Sequence, residues 1–505
     1  MMKRLLPFVV PFLVLYAIGY FCDPATMVLG EEVKPWVPPP KPIETTVPWT
    51  LQGIGDADGS SVDMSTVVGV HSAVNFTWTV LAAVLVFMMQ SGFALLGGFL
   101  HARHMLNYLC QAFLDTTLAG LVFWVWGFAL MFGGSGYPGT MAGNDAIGYS
   151  GWLLYGGAYD VNTFILWMFQ MVFLTKAVVI PVGAIAGRCS FPAYIIHAVF
   201  VAGVVYPIYG HWIWGGGWLS QLPIGSGALD FAGSGVVHAV GGIMGFVGAW
   251  ALGPRKGKFN ADGTPNNMPG HNMTYVVVGT LFLYFGWFGF NPGSTLAATD
   301  LRTSVVIVNT FLAGAAGSVV AVFVTWLKQG KPNVGWMCNG ALGGLVAITA
   351  PCAWVPAWAA VVIGIIAAFI MMGSTWLLDW KLKVDDPLGA VSVHGSCGLW
   401  GIMAVGIFAD GSYGGVIGLI VGSGWQLLAQ FISVVIVMAW GFACGGFIWF
   451  LMKYTMGIRV SAEVERIGLD HAVHGQDCYP AFHRLMVLEK AFYAQQKAQK
   501  KTVKK

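Results

Sequence analysis

The amino-acid sequence predicts an all-α polytopic membrane protein. It reads as eleven transmembrane helices, two inverted five-helix repeats followed by a final helix, with the N-terminus outside and the C-terminus cytoplasmic. Three observations predict this. The chain is 57% hydrophobic and only 9% charged, whereas a soluble domain is about 25% charged, so most of the surface must face lipid. Eleven separate apolar runs each approach the roughly 20 residues that a helix needs to cross the hydrocarbon core. An aspartate stands eight residues before a histidine twice, at Asp230 and His238 and again at Asp386 and His394. The 69 glycines agree with the class, because small residues let membrane helices approach closely. A net charge of +3 points to no nucleic-acid partner.

Residues 1–22, MMKRLLPFVVPFLVLYAIGYFC, join a basic start to an apolar stretch and read as a signal peptide or signal anchor. A proline-rich segment, EEVKPWVPPPKPIETT, belongs to an exported N-terminal stretch over 23–75. The membrane domain occupies 76–453, with spans expected at 76–100, 111–133, 162–186, 191–213, 231–253, 273–291, 304–327, 334–350, 357–379, 389–409 and 428–453. A cytoplasmic tail, 454–505, ends in AFHRLMVLEKAFYAQQKAQKKTVKK. That end reads as a basic amphipathic helix that lies on anionic lipid or docks a partner.

Lys and Arg set the orientation. One set of connections holds Arg103, Arg188, Arg255, Lys256, Lys258, Lys328, Lys331, Lys381, Lys383 and the basic tail; the other holds only Arg302. The first set is therefore cytoplasmic. Eleven spans then require an exported N-terminus, which agrees with the signal segment. The eight cysteines show no CxxC and no zinc spacing and read as small buried hydrophobes. No cofactor or metal is expected.

Spans five and ten carry the two histidines, each as the fifth helix of a five-helix half. Five is odd, so the halves have opposite orientation, the pattern of an inverted repeat whose substrate path lies near the midplane. Eight residues of helix would rise about 12 Å and put each ring well inside the membrane. Taken singly, each is a histidine bonded to a neighbouring carbonyl; as a pair, the two line a path. A neutral imidazole has one donor and one acceptor, and an apolar surround disfavours its charged form. Such a path favours a small solute that donates and accepts hydrogen bonds, and it resists a bare cation.

The segment DFAGSGVVHAVGGIMGFVGAWALGPR resembles the signature of the ammonium transporter family (Amt/Mep, with the Rh proteins as distant relatives) and is Amt-like. Further matches follow in order: MQSGFALL, FQMVF, GHWIWGGGWL, GWFGFNPGS, NGALGGLVAITAPCA, DDPLGAVSVHG and RVSAEVERIGLDHAVHGQDCY. The resemblance covers about 76 to 480. It implies ammonium or ammonia as the solute, a homotrimer in the cell (inner) membrane, and a PII-type regulatory protein at the cytoplasmic face. It further implies an outer recruitment site at Trp214, Phe169 and Ser294, a phenyl gate at Phe173 and Phe290, and pore histidines at His238 and His394. Taken alone, Trp214 would be an interface-belt tryptophan and the phenylalanines packing residues. Asp230 is expected to order backbone near the recruitment site, and Asp385 and Asp386 to cap span ten.

Three features depart from the family pattern. Lys176 falls inside span three, where a lysine costs roughly 2.5–3.5 kcal/mol at helix centre. It either points into the path or lies at a subunit interface. Pro181 is expected to kink that span. The usual LLEAG is here LLGG (Leu95 to Gly98), and the usual GALAER is GAIAGR, with Gly187 in place of a glutamate. A sensor on the same scaffold is therefore the alternative to a transporter. No nucleophile or metal constellation supports an enzyme.

Overall fold

The computed structural model describes residues 64–133, 143–159 and 161–480. The signal segment, residues 23–63 of the exported stretch and the basic helix expected at the C-terminus lie outside the described residues. Among those described the chain runs as helices, with isolated bridges and no strand. Ten helices are long and apolar enough to cross a membrane. They are α1 (Val67–Phe99), α2 (Ala102–Phe132), α3 (Val161–Ile185), α4 (Phe191–Ile213), α5 (Ser234–Leu252), α6 (Met273–Gly293), α7 (Arg302–Gln329), α9 (Ala357–Leu382), α10 (Val391–Phe408) and α11 (Trp425–Thr455). Between α7 and α9 lies α8 (Val334–Ile348), apolar but only 15 residues long. Two short helices follow α11, α12 (Ala462–Ile467) and α13 (Leu469–His474).

Two helices start earlier than the apolar runs suggest. α1 begins at Val67, where the Thr66 hydroxyl accepts the Gly69 N–H and caps the helix. α2 begins at Ala102, in a polar stretch that the tail satisfies. The Asp470 carboxylate accepts the backbone N–H groups of Leu106 and Asn107, and His104 Nδ1 accepts the Leu469 N–H. A hydropathy window over 102–110 contains none of these distant partners.

The tail also fastens other connections at its end of the bundle. The Ser190 N–H donates to the Ile458 carbonyl and the Val460 N–H to that of Arg188. Arg459 donates to the carbonyls of Leu252 and Pro254 and pairs with Glu465, which also accepts the Lys256 N–H. Gly187, standing where the family has glutamate, has φ +79°, a backbone that strains any residue with a Cβ. Its neighbour Arg188 is fully buried and donates to the carbonyls of Gly253, Ala186 and Asp385.

α3 and α5 sit at the centre; nearly every α3 residue from Phe169 to Ile185 is buried. α3 continues four residues past Pro181 as helix. α5 and α10 run in opposite directions, since the Arg255 that follows α5 pairs with the Asp385 that precedes α10. They touch backbone to backbone: a Cβ on Gly242 would lie 2.1 Å from the Gly395 nitrogen. The large exposed apolar residues, among them Phe87, Phe311, Phe369 and Phe431, lie on the outer helices, as in a protein solvated by lipid.

Candidate functional site

Four local features build the site at the recess end of the bundle. α4 ends in GHWIWGGG and delivers Trp214 at its C-terminus. The indole N–H donates to the Asp230 carbonyl at 2.7 Å, which fixes the ring. α6 ends at Gly293, and Ser294 follows as its C-cap. The Ser294 hydroxyl donates to the Phe290 carbonyl at 2.9 Å, leaving its lone pairs to accept. Trp214, Ser294 and Phe169 of α3 line one recess of about 250 Å³, with Gln170 and Phe231 beside them. Aromatic faces and a hydroxyl acceptor without a fixed charge suit a small cation that can donate hydrogen bonds.

Phe173 and Phe290 close the floor of the recess. Their rings stack with centroids 4.0 Å apart and planes at 25°. Phe173 also meets Phe169 at 4.6 Å and the Trp214 indole edge-on at 6.1 Å. On the far side, the His238 ring stacks on Phe290 at 5.5 Å. His238 Nδ1 lies 3.1 Å from His394 Nδ1, with the two rings tilted by only 23°. His238 Nε2 is buried with no hydrogen-bond partner among the described residues. Beyond His394 lies a cavity of about 20 Å³, lined by Phe93, Tyr108, Val179 and Ile180 among others. It shares Asn339, Leu388 and Gly389 with an open vestibule of about 710 Å³ that also touches Arg255, Lys258 and Asp386. The structure thus brings together all seven expected ring, hydroxyl and imidazole positions as a single file from recess to vestibule.

Asp230 does not project into the recess lining. Its carboxylate accepts four backbone N–H groups, from Gly233, Ser234, Gly235 and Val236, at 2.8–3.0 Å. Burial raises its pKa, against the pull of those four donors. Asp386 does the same work for α10, accepting the N–H groups of Ala390 and Val391; burial pushes its carboxyl up to about 6. In both places a glycine of positive φ, Gly233 or Gly389, stands three residues after the aspartate and turns the chain into the helix. Helix therefore starts at Ser234 and Val391, and the expectation of eight helical residues from carboxylate to ring is corrected. Each imidazole sits in the opening turn of its helix.

Asp385 was expected to cap α10 and does not. It is the buried partner of Arg255, accepting from Nε and Nη2 and from the Arg255 backbone N–H at 2.8–2.9 Å. Burial works to raise its pKa, but the Arg255 and Arg188 guanidiniums outweigh that and hold it well below the carboxylate range.

Lys176 meets neither expectation. It is 1% exposed, so it is at no surface, and it is absent from the linings of the recess and the small cavity. Its Nζ donates to Gln90 Oε1 of α1 at 3.1 Å and to the Thr175 hydroxyl at 3.0 Å.

Three residues at the site escaped the sequence reading. Trp287 stacks on His238 at 5.3 Å and donates to the Thr349 hydroxyl. Phe93 meets His394 at 5.9 Å. Gln170 lines the recess with its Oε1 buried and without a hydrogen-bond partner among the described residues. Trp287 stands three residues before Phe290, on the same helical face, and that spacing is the signal that could have found it.

Comparison with known proteins agrees with this arrangement. The family model for the Ammonium Transporter Family matches residues 77–479. Ammonium transporter Amt2 of Archaeoglobus fulgidus is 48% identical over 425 residues, covering 81% of this chain and 89% of its own. Among solved structures, a Sensor Amt Protein superposes with a TM-score of 0.74 at 34% identity, over 80% of this chain and 99% of its own. Candida albicans Mep2 does so with a TM-score of 0.70 at 29% identity, over 77% and 87%. With the signature segment, the helical bundle and the matched span all in agreement, the chain belongs to the ammonium transporter family.

Proposed function

We propose that the protein carries ammonium across the cell (inner) membrane as a multi-pass homotrimer. In this reading α8 is the eighth of eleven spans, α1–α5 and α6–α10 are inverted repeats, and the recess end with the N-terminus faces outward. Ammonium is recruited by Trp214, Phe169 and Ser294. It sheds its water and a proton at the Phe173–Phe290 gate, and the neutral amine passes His238 and His394. A proton can cross separately between the rings. Potassium has no proton to give up and meets no ring of carbonyls to replace its water. The tail end, with its vestibule, is the cytoplasmic face at which a PII-type protein would act.

The observation that carries this reading is the unbroken ring contact from recess to vestibule. Phe173 lies on Phe290, Phe290 on His238, and His238 bonds His394. No fixed charge lines that file, so a dehydrated cation finds no counter-charge while a neutral amine finds two nitrogens.

A second reading, an ammonium sensor with little transport, draws support from the 34% identity to a Sensor Amt Protein. Charge translocation by reconstituted protein after an ammonium pulse separates the two. Current in the intact protein that is lost in His238→Ala supports transport. Ammonium binding with neither current nor uptake supports the sensor.

A further inference from the structure

α3 supplies the gate residue Phe173, and Lys176 lies one turn beyond it, before Val179 and Ile180 of the small cavity. The Nζ–Gln90 hydrogen bond ties α3 to α1. Gln90 in turn donates through Nε2 to the Ala112 carbonyl of α2 at 2.6 Å. Three residues after Gln90 comes Phe93, whose ring meets His394. Three helices thus meet through Lys176 and Gln90, both buried. Removing one partner of a buried hydrogen bond strands the other in a low dielectric, whereas replacing both with volume kept is often nearly neutral.

We propose that Lys176 is a positioning residue. With Gln90 it forms a buried brace that holds α3 against α1 and α2, and so sets Phe173 and Phe93 on either side of the paired imidazoles. The flux consequence rests on the transport reading above; the pairing of Lys176 with Gln90 does not.

The test uses the full-length protein in proteoliposomes with Lys176→Met, Gln90→Met and the double variant. Thermal unfolding and ammonium-evoked current are measured, the current over a concentration series. Each single variant should lower Tm, and the double should recover most of that loss. Lys176→Met and the double should lose about tenfold in maximal current, about 1.4 kcal/mol of barrier, with the half-saturating concentration unchanged, because the recess is untouched. Additive Tm losses, wild-type current in the double variant, or a gain of current in Lys176→Met would each overturn the proposal. Should the single variants not assemble, the double decides: assembly with low maximal current supports the brace, and misassembly sinks it. If the wild-type protein itself carries no current, the transport reading fails, and the Tm series alone judges the pair.

Discussion

His238 and His394 face each other Nδ1 to Nδ1 at 3.1 Å. A hydrogen bond between two imidazole nitrogens needs a proton on one and a lone pair on the other. The tautomer of one ring therefore dictates that of its partner, and the two act as a unit. Groups that act as a unit show non-additive losses on mutation. His238→Ala and His394→Ala should each lower ammonium-evoked current at least about tenfold, and the double variant should lose little more. Losses that multiply would show that the rings act independently.

The Trp214 indole has its orientation set by its bond to the Asp230 carbonyl. Trp214→Leu removes the aromatic face and keeps an apolar wall. A cation–π contact of about 0.5–2 kcal/mol translates into a half-saturating concentration raised about two- to thirtyfold. Maximal current should change far less. A concentration series on reconstituted protein checks both values, and an unchanged half-saturation removes Trp214 from recruitment.

Gly242 meets Gly395 backbone to backbone, four residues from one imidazole and one from the other. Gly242→Ala improves intrinsic helix propensity by about 1 kcal/mol. The added Cβ nonetheless has to force α5 and α10 apart, and with them the two rings. We expect folded protein with a strong loss of current. A variant with wild-type current would mean that the helices yield without separating the imidazoles.

The Arg255–Asp385 pair joins the end of α5 to the start of α10. Asp385→Asn leaves Arg255 buried and underpaired, at a cost of about 3–5 kcal/mol. The Asp385 pKa is held below its unfolded value, so the group binds fewer protons folded than unfolded as acid is added. Its contribution is complete above about pH 5 and is lost progressively as pH falls from there through the lower folded value. Thermal unfolding between neutral pH and about pH 2 should therefore fall more steeply for the wild type than for Asp385→Asn. Parallel curves would show that the pair adds nothing to acid stability.

Among the described residues hydropathy located the long apolar helices, because each such run has only one way to stay out of water. The residues of the proposed path were legible for a different reason: DFAGSGVVHAVGG, FQMVF and GWFGFNPGS resemble family motifs, and composition alone would have left Phe173 and Phe290 among 33 phenylalanines. What stayed hidden depends on distant partners. The polar start of α2 is satisfied by Asp470, more than 360 residues later. Lys176 is accommodated by Gln90, on a helix that no local window joins to α3. Asp385 and Asp386 are neighbours with the same charge, yet one caps a helix and the other holds an arginine; only the three-dimensional setting tells them apart.

The placement of both imidazoles in the opening turns of α5 and α10 has an electrostatic consequence. The two helices enter from opposite ends of the bundle, so their amino-terminal poles converge on the same small volume. Each pole is equivalent to roughly half a positive elementary charge. Asp230 takes up four free N–H groups at one pole and Asp386 two at the other. The paired rings therefore sit between capped helix ends, not at bare positive ones.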